Sequence, residues 1–110
     1  MNIYAVELDR LKALCPGAEL WDEGGAPLVF LPDMKVEASG AVHFVDLLLC
    51  PRARDSYETR LFFSAQLPSG RNWQPPNGIM ARSWHTFSWQ GIKAEQPWID
   101  ILASHLEAVK

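Results

Sequence analysis

Apolar residues recur at helical spacing near both ends of the chain. The N-terminal set consists of Tyr4, Leu8, Leu11 and Cys15, and Pro16-Gly17 ends the pattern. At the other end, Pro97 suits the first turn of a helix because its missing N–H has no partner there. The residues from Trp98 to Val109 then form a broad apolar face. The pattern predicts amphipathic helices over residues 2–14 and 97–110.

Between these helices the chain is organised into short segments typical of β-strands. Glu19–Asp22 and Pro27–Leu31 flank Gly24-Gly25, which supplies the positive φ angles of a tight hairpin. Further strands are predicted over Met34–Ala38, Ala41–Cys50 and Tyr57–Ala65. Because short turns join these segments, we expect an antiparallel meander of about four strands.

The segment from Leu67 to Asn77 is rich in proline and glycine, so we expect it to lack regular structure. It carries Trp73, which favours an ordered loop. Helix, meander, irregular crossing and helix together predict one α+β domain over residues 1–110, with the helices covering one face of the sheet.

Composition and charge narrow the class of protein. The chain is 48% apolar and has a net charge of −3, so it offers no cluster of positive charge for nucleic acid. Cys15 and Cys50 have no framework spacing and are expected to be free thiols in a reducing compartment. The N-terminus lacks a secretion signal, and no apolar run approaches the roughly 20 residues that span a membrane. We expect a soluble cytoplasmic protein.

A motif near the C-terminal helix points to a family. Asn77-Gly78-Ile79-Met80-Ala81 is followed by Trp89 and then by the predicted helix over 97–110. Ubiquitin-conjugating enzymes carry an N-G-x-I-C stretch, a tryptophan eight residues after its cysteine, and then a helix. The chain resembles this family, and Ala81 occupies the position of the catalytic cysteine.

The resemblance extends upstream. Phe44–Pro51 stands for the family's strand and its proline, Tyr57 for its tyrosine, and Arg71-Asn72-Trp73 for a histidine-proline-asparagine motif, with Asn72 out of register by about one position. The chain is similar to a divergent bacterial relative of these enzymes. The resemblance implies a UBC-like fold with an N-terminal helix, a four-stranded antiparallel meander, a long irregular segment that resembles an active site, and a C-terminal helix.

A conjugating enzyme carries a ubiquitin-like protein as a thioester, a step that requires sulfur and that alanine cannot perform. Three interpretations follow: a non-catalytic protein, an enzyme with a different nucleophile, or an enzyme whose cysteine was replaced by alanine. The resemblance favours a non-catalytic component of a bacterial pathway, with a ubiquitin-like protein and an activating-enzyme homologue as partners. The resemblance also implies a link to antiphage defence, since such bacterial gene sets are often associated with it. A stand-alone interaction domain of the same architecture is a further alternative.

Several residues near position 81 are candidates for chemistry. Ser83 or Ser88 would need a base, and His85 is the nearest candidate. Asn72 would take the place of the family asparagine that stabilises an oxyanion. Cys50 is followed by two arginines, which would lower its pKa. The alternative is that the serines and His85 are structural and that Cys50 is a packed, inert thiol.

Candidate partner contacts lie in two places. The resemblance implies a surface for the activating enzyme on the first helix, at Tyr4, Glu7 and Arg10. Trp73 and Trp84 are candidate anchors because tryptophan is enriched at interface hot spots, whereas Trp89 is assigned to the core. The three histidines are isolated and no phosphate-binding loop occurs, so we expect neither a metal site nor a cofactor.

Overall fold

A computed structural model describes residues 4–110 and has α+β architecture. The elements are α1 Ala5–Lys12, β1 Glu19–Glu23, β2 Ala26–Ala38, β3 Ala41–Cys50, β4 Arg60–Phe63, β5 Asn77–Ile79, β6 Arg82–Trp84 and α2 Trp98–Val109. The first four strands form one antiparallel sheet in the order β1-β2-β3-β4, and β5 pairs with β6. The predicted α+β class, with two helices and a four-stranded antiparallel meander, is confirmed.

Two tight turns connect the first three strands. Gly24-Gly25 joins β1 to β2 with φ angles of 60° and 93°, and Ser39-Gly40 joins β2 to β3 with φ angles of 52° and 75°. A two-residue turn of this kind matches the twist of the flanking strands. The predicted Gly24-Gly25 hairpin is therefore present at its expected position.

The two strands predicted over 27–31 and 34–38 are a single strand. The register between β2 and β3 shifts between Leu31 and Met34, where Asp33 adopts a positive φ of 51°. Its N–H donates to the Asp46 carboxylate at 2.8 Å, which holds the irregularity in place. An extra residue in one strand resets the alternation of side chains, so the sequence reads as two strands where the backbone forms one.

Two elements are shorter than the sequence predicts. Helix α1 ends at Lys12, and Leu14 beyond it is exposed. Cys15 lies in the following turn and is buried, with its thiol 3.4 Å from the Pro32 carbonyl. Strand β4 begins at Arg60 because Tyr57 instead pairs with Arg54 in a separate tight turn. Asn2 and Ile3, which the sequence places in the first helix, lie outside the described residues.

The sheet is covered on both faces, and the alternation of side chains along β3 separates two apolar clusters. Val45, Leu47 and Leu49 join the larger cluster, which includes residues of both helices. Leu48 and Cys50 point to the other face and join the smaller cluster, which includes Phe62, Ile79 and Trp84. We expected helices on one face of the sheet, and the β5-β6 pair is what covers the other.

The segment between β4 and α2 is more regular than predicted. Residues 67–76 hold no strand, as expected, but β5 and β6 follow directly. Residues 72–74 also lie beside 86–88, through the Trp73–Phe87 bridge and flanking backbone hydrogen bonds. His85 exchanges backbone hydrogen bonds with Phe63 and so extends the edge of β4. We call residues 72–88 the crossing hairpin. Across residues 4–110, no helix has the length and apolar character needed to cross a bilayer.

Candidate functional site

Ala81 lies at the tip of the crossing hairpin, exposed to solvent. Met80 and Ala81 form its two-residue turn, with φ angles of 51° and 65°. Neither residue is glycine, and the left-handed conformation costs a non-glycine residue about 1 kcal/mol. The Met80 side chain is 44% exposed. The position that the resemblance assigns to a cysteine is thus presented outward on a strained turn.

Arg82 fastens this tip to the sheet. Its Nη2 donates to Asp46 Oδ2 at 2.8 Å, and its guanidinium lies 5.1 Å from the Phe30 ring centroid and 4.9 Å from that of Trp84. The hydrogen bond from Arg82, together with that from the Asp33 N–H, lowers the pKa of Asp46. The Asp46 carboxylate therefore joins the bulge of β2 to the crossing hairpin.

Trp84 cannot contact a partner, because it is fully buried in the smaller cluster. Its indole N–H donates to the Ile79 carbonyl at 3.2 Å, inside the hairpin. The prediction of Trp84 as an interface anchor is therefore corrected. Strand alternation along β6 directs Trp84 to the sheet and leaves Ser83 on the solvent side.

Ser83 and His85 do not form a catalytic pair. Within residues 4–110 no hydrogen bond joins them, although both stand near the hairpin tip. The Nδ1 atom of His85 is buried and has no partner among the described side chains. Ser88, the other candidate hydroxyl, instead accepts hydrogen bonds from Tyr57 Oη at 2.8 Å and from Gln74 Nε2 at 2.9 Å.

Asn72 lies at the base of the crossing hairpin. Its carbonyl accepts the Ser88 N–H at 3.1 Å, whereas the turn at Met80-Ala81 closes the opposite end. Strand pairing thus places Asn72 and Ala81 at opposite ends of the crossing hairpin. The predicted role of Asn72 in stabilising an oxyanion at position 81 has no support in this arrangement.

Both cysteines of the chain are buried. Burial raises the pKa of Cys50 to about 12, and the nearby Arg54 only partly opposes this effect. Burial also raises the pKa of Cys15. Because the thiolate is the nucleophilic form, neither cysteine is suited to covalent catalysis in the folded protein. The interpretation of Cys50 as a packed, inert thiol fits its position in the smaller cluster.

The predicted surface on α1 is largely engaged within the protein. Tyr4 stacks on Trp98 with ring centroids 5.1 Å apart. Glu7 Oε2 accepts the Trp98 N–H at 3.1 Å, at the first turn of α2. Arg10 lies outward, with its side chain 54% exposed. Of the three predicted contacts, Arg10 is the most solvent-exposed, and its guanidinium pairs with Glu7 Oε1 at 3.5 Å on the same helix.

The sequence carries a signal for the role of Glu7 at the start of α2. Helix α2 begins after Pro97, which has no side-chain oxygen to bind the first N–H groups. An acceptor must therefore come from elsewhere in the chain. The sequence shows the missing cap, and only the tertiary structure identifies Glu7 as its replacement.

Two further tryptophans, Trp73 and Trp89, flank the base of the crossing hairpin. Trp73 is half-buried and packs edge-on against Phe63 and Phe87, at 5.5 Å and 5.1 Å between ring centroids. Trp89, assigned to the core by the sequence, is instead 37% exposed beneath the Arg71 guanidinium. The chain leaves the sheet after Ser88, so Phe87 fills the core position and Trp89 lies at its rim.

A buried arginine that the sequence analysis missed joins β4 to the crossing hairpin. Arg60 is 3% exposed and donates to Asp55 Oδ2 at 3.0 Å and to Gln74 Oε1 at 2.9 Å. Its guanidinium also lies 4.2 Å from the Tyr57 ring centroid. A buried charge persists only when it is paired and hydrogen-bonded, so these contacts hold the segment in place.

A buried histidine lies beside this arginine. His105 Nε2 is 2.9 Å from Thr59 Oγ1, and that hydroxyl donates to the Ile92 carbonyl at 3.0 Å. Burial and the nearby Arg60 charge lower the pKa of His105 to about 4. The imidazole is therefore neutral near pH 7 and links α2 to the segment before β4.

Comparison of the chain with protein-family models, with curated proteins and with solved structures gave no match.

Proposed function

We propose that the chain is a non-catalytic protein-binding domain of a bacterial ubiquitin-like conjugation pathway, with a UBC-like fold. Its partners are a ubiquitin-like protein and the activating-enzyme homologue of that pathway. The observation that supports this proposal is the placement of Ala81, an inert methyl group, at an exposed and strained hairpin tip.

The surroundings of the tip favour binding over catalysis. Thioester transfer requires an accessible thiolate, and both Cys15 and Cys50 are buried. A serine nucleophile requires a base within hydrogen-bond reach, and Ser83 has none among the described residues. The exposed Met80 beside Ala81 is a flexible, apolar side chain of the kind that contacts protein partners.

The order of elements also supports the proposal. An N-terminal helix, a four-stranded meander, a crossing segment and a C-terminal helix follow one another as the resemblance implies. The crossing hairpin carries the motif residues Asn77 and Ala81, and the larger cluster holds the sheet beneath both helices.

The first experiment measures binding and adduct formation together. The protein is mixed with a ubiquitin-like protein and an activating-enzyme homologue from the same organism, with and without ATP. We expect binding by calorimetry, weakened by Met80→Asp, and no hydroxylamine-sensitive adduct on gels. Leu14→Asp is the matched control, since Leu14 is 57% exposed on a different surface.

Restoring sulfur at the tip gives the second experiment. Ala81→Cys is expected to acquire a thiol-sensitive adduct with the ubiquitin-like protein, whereas Asn72→Cys at the base of the hairpin is not. An adduct on the unaltered chain that disappears in Ser83→Ala would show an active enzyme. Absence of binding to both partners would leave the pathway assignment without support and favour a stand-alone interaction domain.

A further inference from the structure

Asn77 and Gly78 begin the first strand of the crossing hairpin, and both are exposed to solvent. Among the described residues, the Asn77 side-chain amide has no hydrogen-bond partner. Glycine has no side chain, so nothing on Gly78 shields its backbone nitrogen from the amide of the preceding residue. In an asparagine-glycine pair this nitrogen can attack the side-chain carbonyl carbon, because the approach is not hindered.

The register of β5 and β6 leaves the Gly78 N–H outside the ladder. Ile79 and Arg82 flank the two-residue turn, so they form a hydrogen-bonded pair. Gly78 and Ser83 are the next pair and occupy a non-hydrogen-bonded position, with the Gly78 N–H directed away from β6. Within residues 4–110, β5 pairs with no other strand. No strand carbonyl therefore holds the attacking nitrogen.

The strand that contains this pair is short and opens easily. Strand β5 has three residues, and Asn77 is its first, directly after Pro75 and Pro76. Proline has no N–H, so neither residue can extend the ladder by donating to β6. The extended backbone of a strand holds the Asn77 side-chain carbon away from the Gly78 nitrogen. The reaction therefore requires the pair between Asn77 and Trp84 to open, and short strand ends open at low free energy.

We propose that Asn77-Gly78 is a site of spontaneous intramolecular deamidation, and that its isoaspartate product unpairs β5 from β6. The Gly78 nitrogen loses its proton and attacks Cγ of Asn77. The new bond closes a succinimide ring, and the side-chain nitrogen leaves with a proton as ammonia. Water then opens the ring, with its hydroxyl going to one carbonyl carbon and its proton to the Gly78 nitrogen. Opening at the main-chain carbonyl gives isoaspartate, and opening at the side-chain carbonyl gives aspartate.

The isoaspartate product differs from asparagine in both charge and backbone. It adds one negative charge to a chain whose net charge is −3. The main chain then reaches Gly78 through the former side chain, which lengthens the backbone by one carbon and shifts residue 77 out of its pairing with Trp84. Fewer strand pairs then hold the exposed turn at Met80-Ala81. The reaction needs only water, so it does not depend on the pathway proposed above.

Asn72 provides an internal control for the chemistry. It is also exposed, but the next residue is the bulky Trp73, whose N–H donates to the Arg71 carbonyl at 3.0 Å. Trypsin cleaves after Arg71 and Arg82, so one peptide carries both asparagines. The intact protein is incubated in mildly alkaline buffer, and tandem mass spectrometry of this peptide measures both rates against a sample taken at the start. We expect conversion of Asn77 to be faster by about tenfold or more.

Three variants connect the rate to the structure. The Gly78 backbone conformation is open to other residues, and an added Cβ has no atom within 4 Å, so alanine fits the folded hairpin. We expect Gly78→Ala to slow conversion of Asn77 by about tenfold or more, with an unchanged thermal melt. Arg82→Ala loosens the hairpin and should speed conversion several-fold, whereas Lys93→Ala should leave the rate unchanged.

The effect of the product on the hairpin is measured on deamidated protein isolated by ion exchange. An isoaspartate-specific methyltransferase assay gives the isoaspartate fraction. Hydrogen exchange followed by NMR should show faster exchange of the Trp84 amide in that fraction than in the unaltered protein. Asn77→Asp is the matched control, since it carries the added charge on an ordinary backbone, and it should leave this exchange unchanged.

Four results would overturn the proposal. Conversion of Asn77 no faster than that of Asn72, or an unchanged rate in Gly78→Ala, would exclude the chemistry. Equal rates in Arg82→Ala and Lys93→Ala would exclude the dependence on hairpin opening. Exchange of the Trp84 amide that is the same in the isoaspartate fraction as in Asn77→Asp would show that the lengthened backbone does not unpair the strands.

Discussion

At the scale of single residues, backbone strain is concentrated in two turns that lack glycine. Asp55-Ser56 and Met80-Ala81 both have positive φ angles. Aspartate tolerates this conformation because its short polar side chain can bind the local backbone, whereas methionine and alanine have no such compensation. The least compensated strain of the described chain is therefore at the hairpin tip.

Replacing Ala81 by glycine should relieve this strain. We expect Ala81→Gly to raise the free energy of unfolding by about 1 kcal/mol, because glycine adopts positive φ without a steric penalty. Ala103→Gly, in an exposed turn of α2, should lower it by a similar amount. Urea denaturation measures the free energy of unfolding of both variants. If Ala81→Gly lowered it as Ala103→Gly does, the assignment of strain to residue 81 would be contradicted.

Protonation of His105 should destabilise the fold in mildly acidic solution. Its pKa is about 4 in the folded protein, against 6.5 ordinarily. Above pH 6.5 the imidazole is neutral in both states. As the pH falls toward 4, the unfolded chain binds the proton first, so the free energy of unfolding decreases by at most about 3 kcal/mol.

The variant His105→Gln isolates this effect, since an amide can still donate to Thr59 but does not titrate. Denaturant unfolding of both proteins between pH 7 and pH 4.5 should show a steeper loss of stability for the unaltered chain. Parallel curves would indicate that His105 keeps its ordinary pKa. The lowered pKa of Asp46 acts in the same direction only at still lower pH, below the usual range of its carboxyl group.

At the scale of elements, the crossing hairpin depends on tertiary contacts for its shape. Strands β5 and β6 have three residues each, too few to be stable alone. Ile79 and Trp84 bury them against the sheet, and Arg82 binds Asp46 on β3. The hairpin therefore folds as a cover for the second face of the sheet.

Removing the contact between Arg82 and Asp46 should loosen the crossing hairpin without unfolding the domain. We expect Arg82→Ala to cost about 1 kcal/mol, because the arginine is partly exposed and solvent screens its ion pair. Amide exchange at Ile79 and Trp84 should accelerate more than exchange in β3. Lys93→Ala removes the surface pair with Glu58 and should have no measurable effect on either quantity. If amide exchange accelerated equally throughout the sheet, Arg82 would stabilise the whole domain and not the crossing hairpin in particular.

At the scale of the whole molecule, one sheet is enclosed on both faces, and this enclosure hides both thiols. Cys15 belongs to the larger cluster and Cys50 to the smaller one. The reactivity of each cysteine therefore measures the solvent exposure of one face of the sheet.

Thiol labelling should therefore follow unfolding. A thiol-reactive dye in native buffer is expected to modify Cys50 no faster than the chain unfolds, and to modify both thiols rapidly in denaturant. Mass spectrometry of Cys15→Ser and Cys50→Ser assigns each rate. Rapid modification of Cys50 in native buffer would show that the smaller cluster opens locally. Cys50 would then again be a candidate nucleophile.

The sequence by itself determined the parts of this protein that depend on local periodicity. Apolar spacing placed both helices, and Gly24-Gly25 placed the first hairpin, because glycine adopts the positive φ angles of that turn. The merging of two predicted strands into β2 escaped detection, because the bulge at Asp33 depends on a carboxylate from another strand.

The tertiary structure decided which side chains are available to a partner. Trp84 is enclosed and Trp89 is exposed, although nothing local distinguishes them. The crossing hairpin turns at Met80-Ala81, which carries no turn-forming residue, because burial on the sheet outweighs the strain. Glu7 caps a helix 91 residues away. Exposure and pairing depend on which groups meet across the fold, and that is fixed only when distant segments pack together.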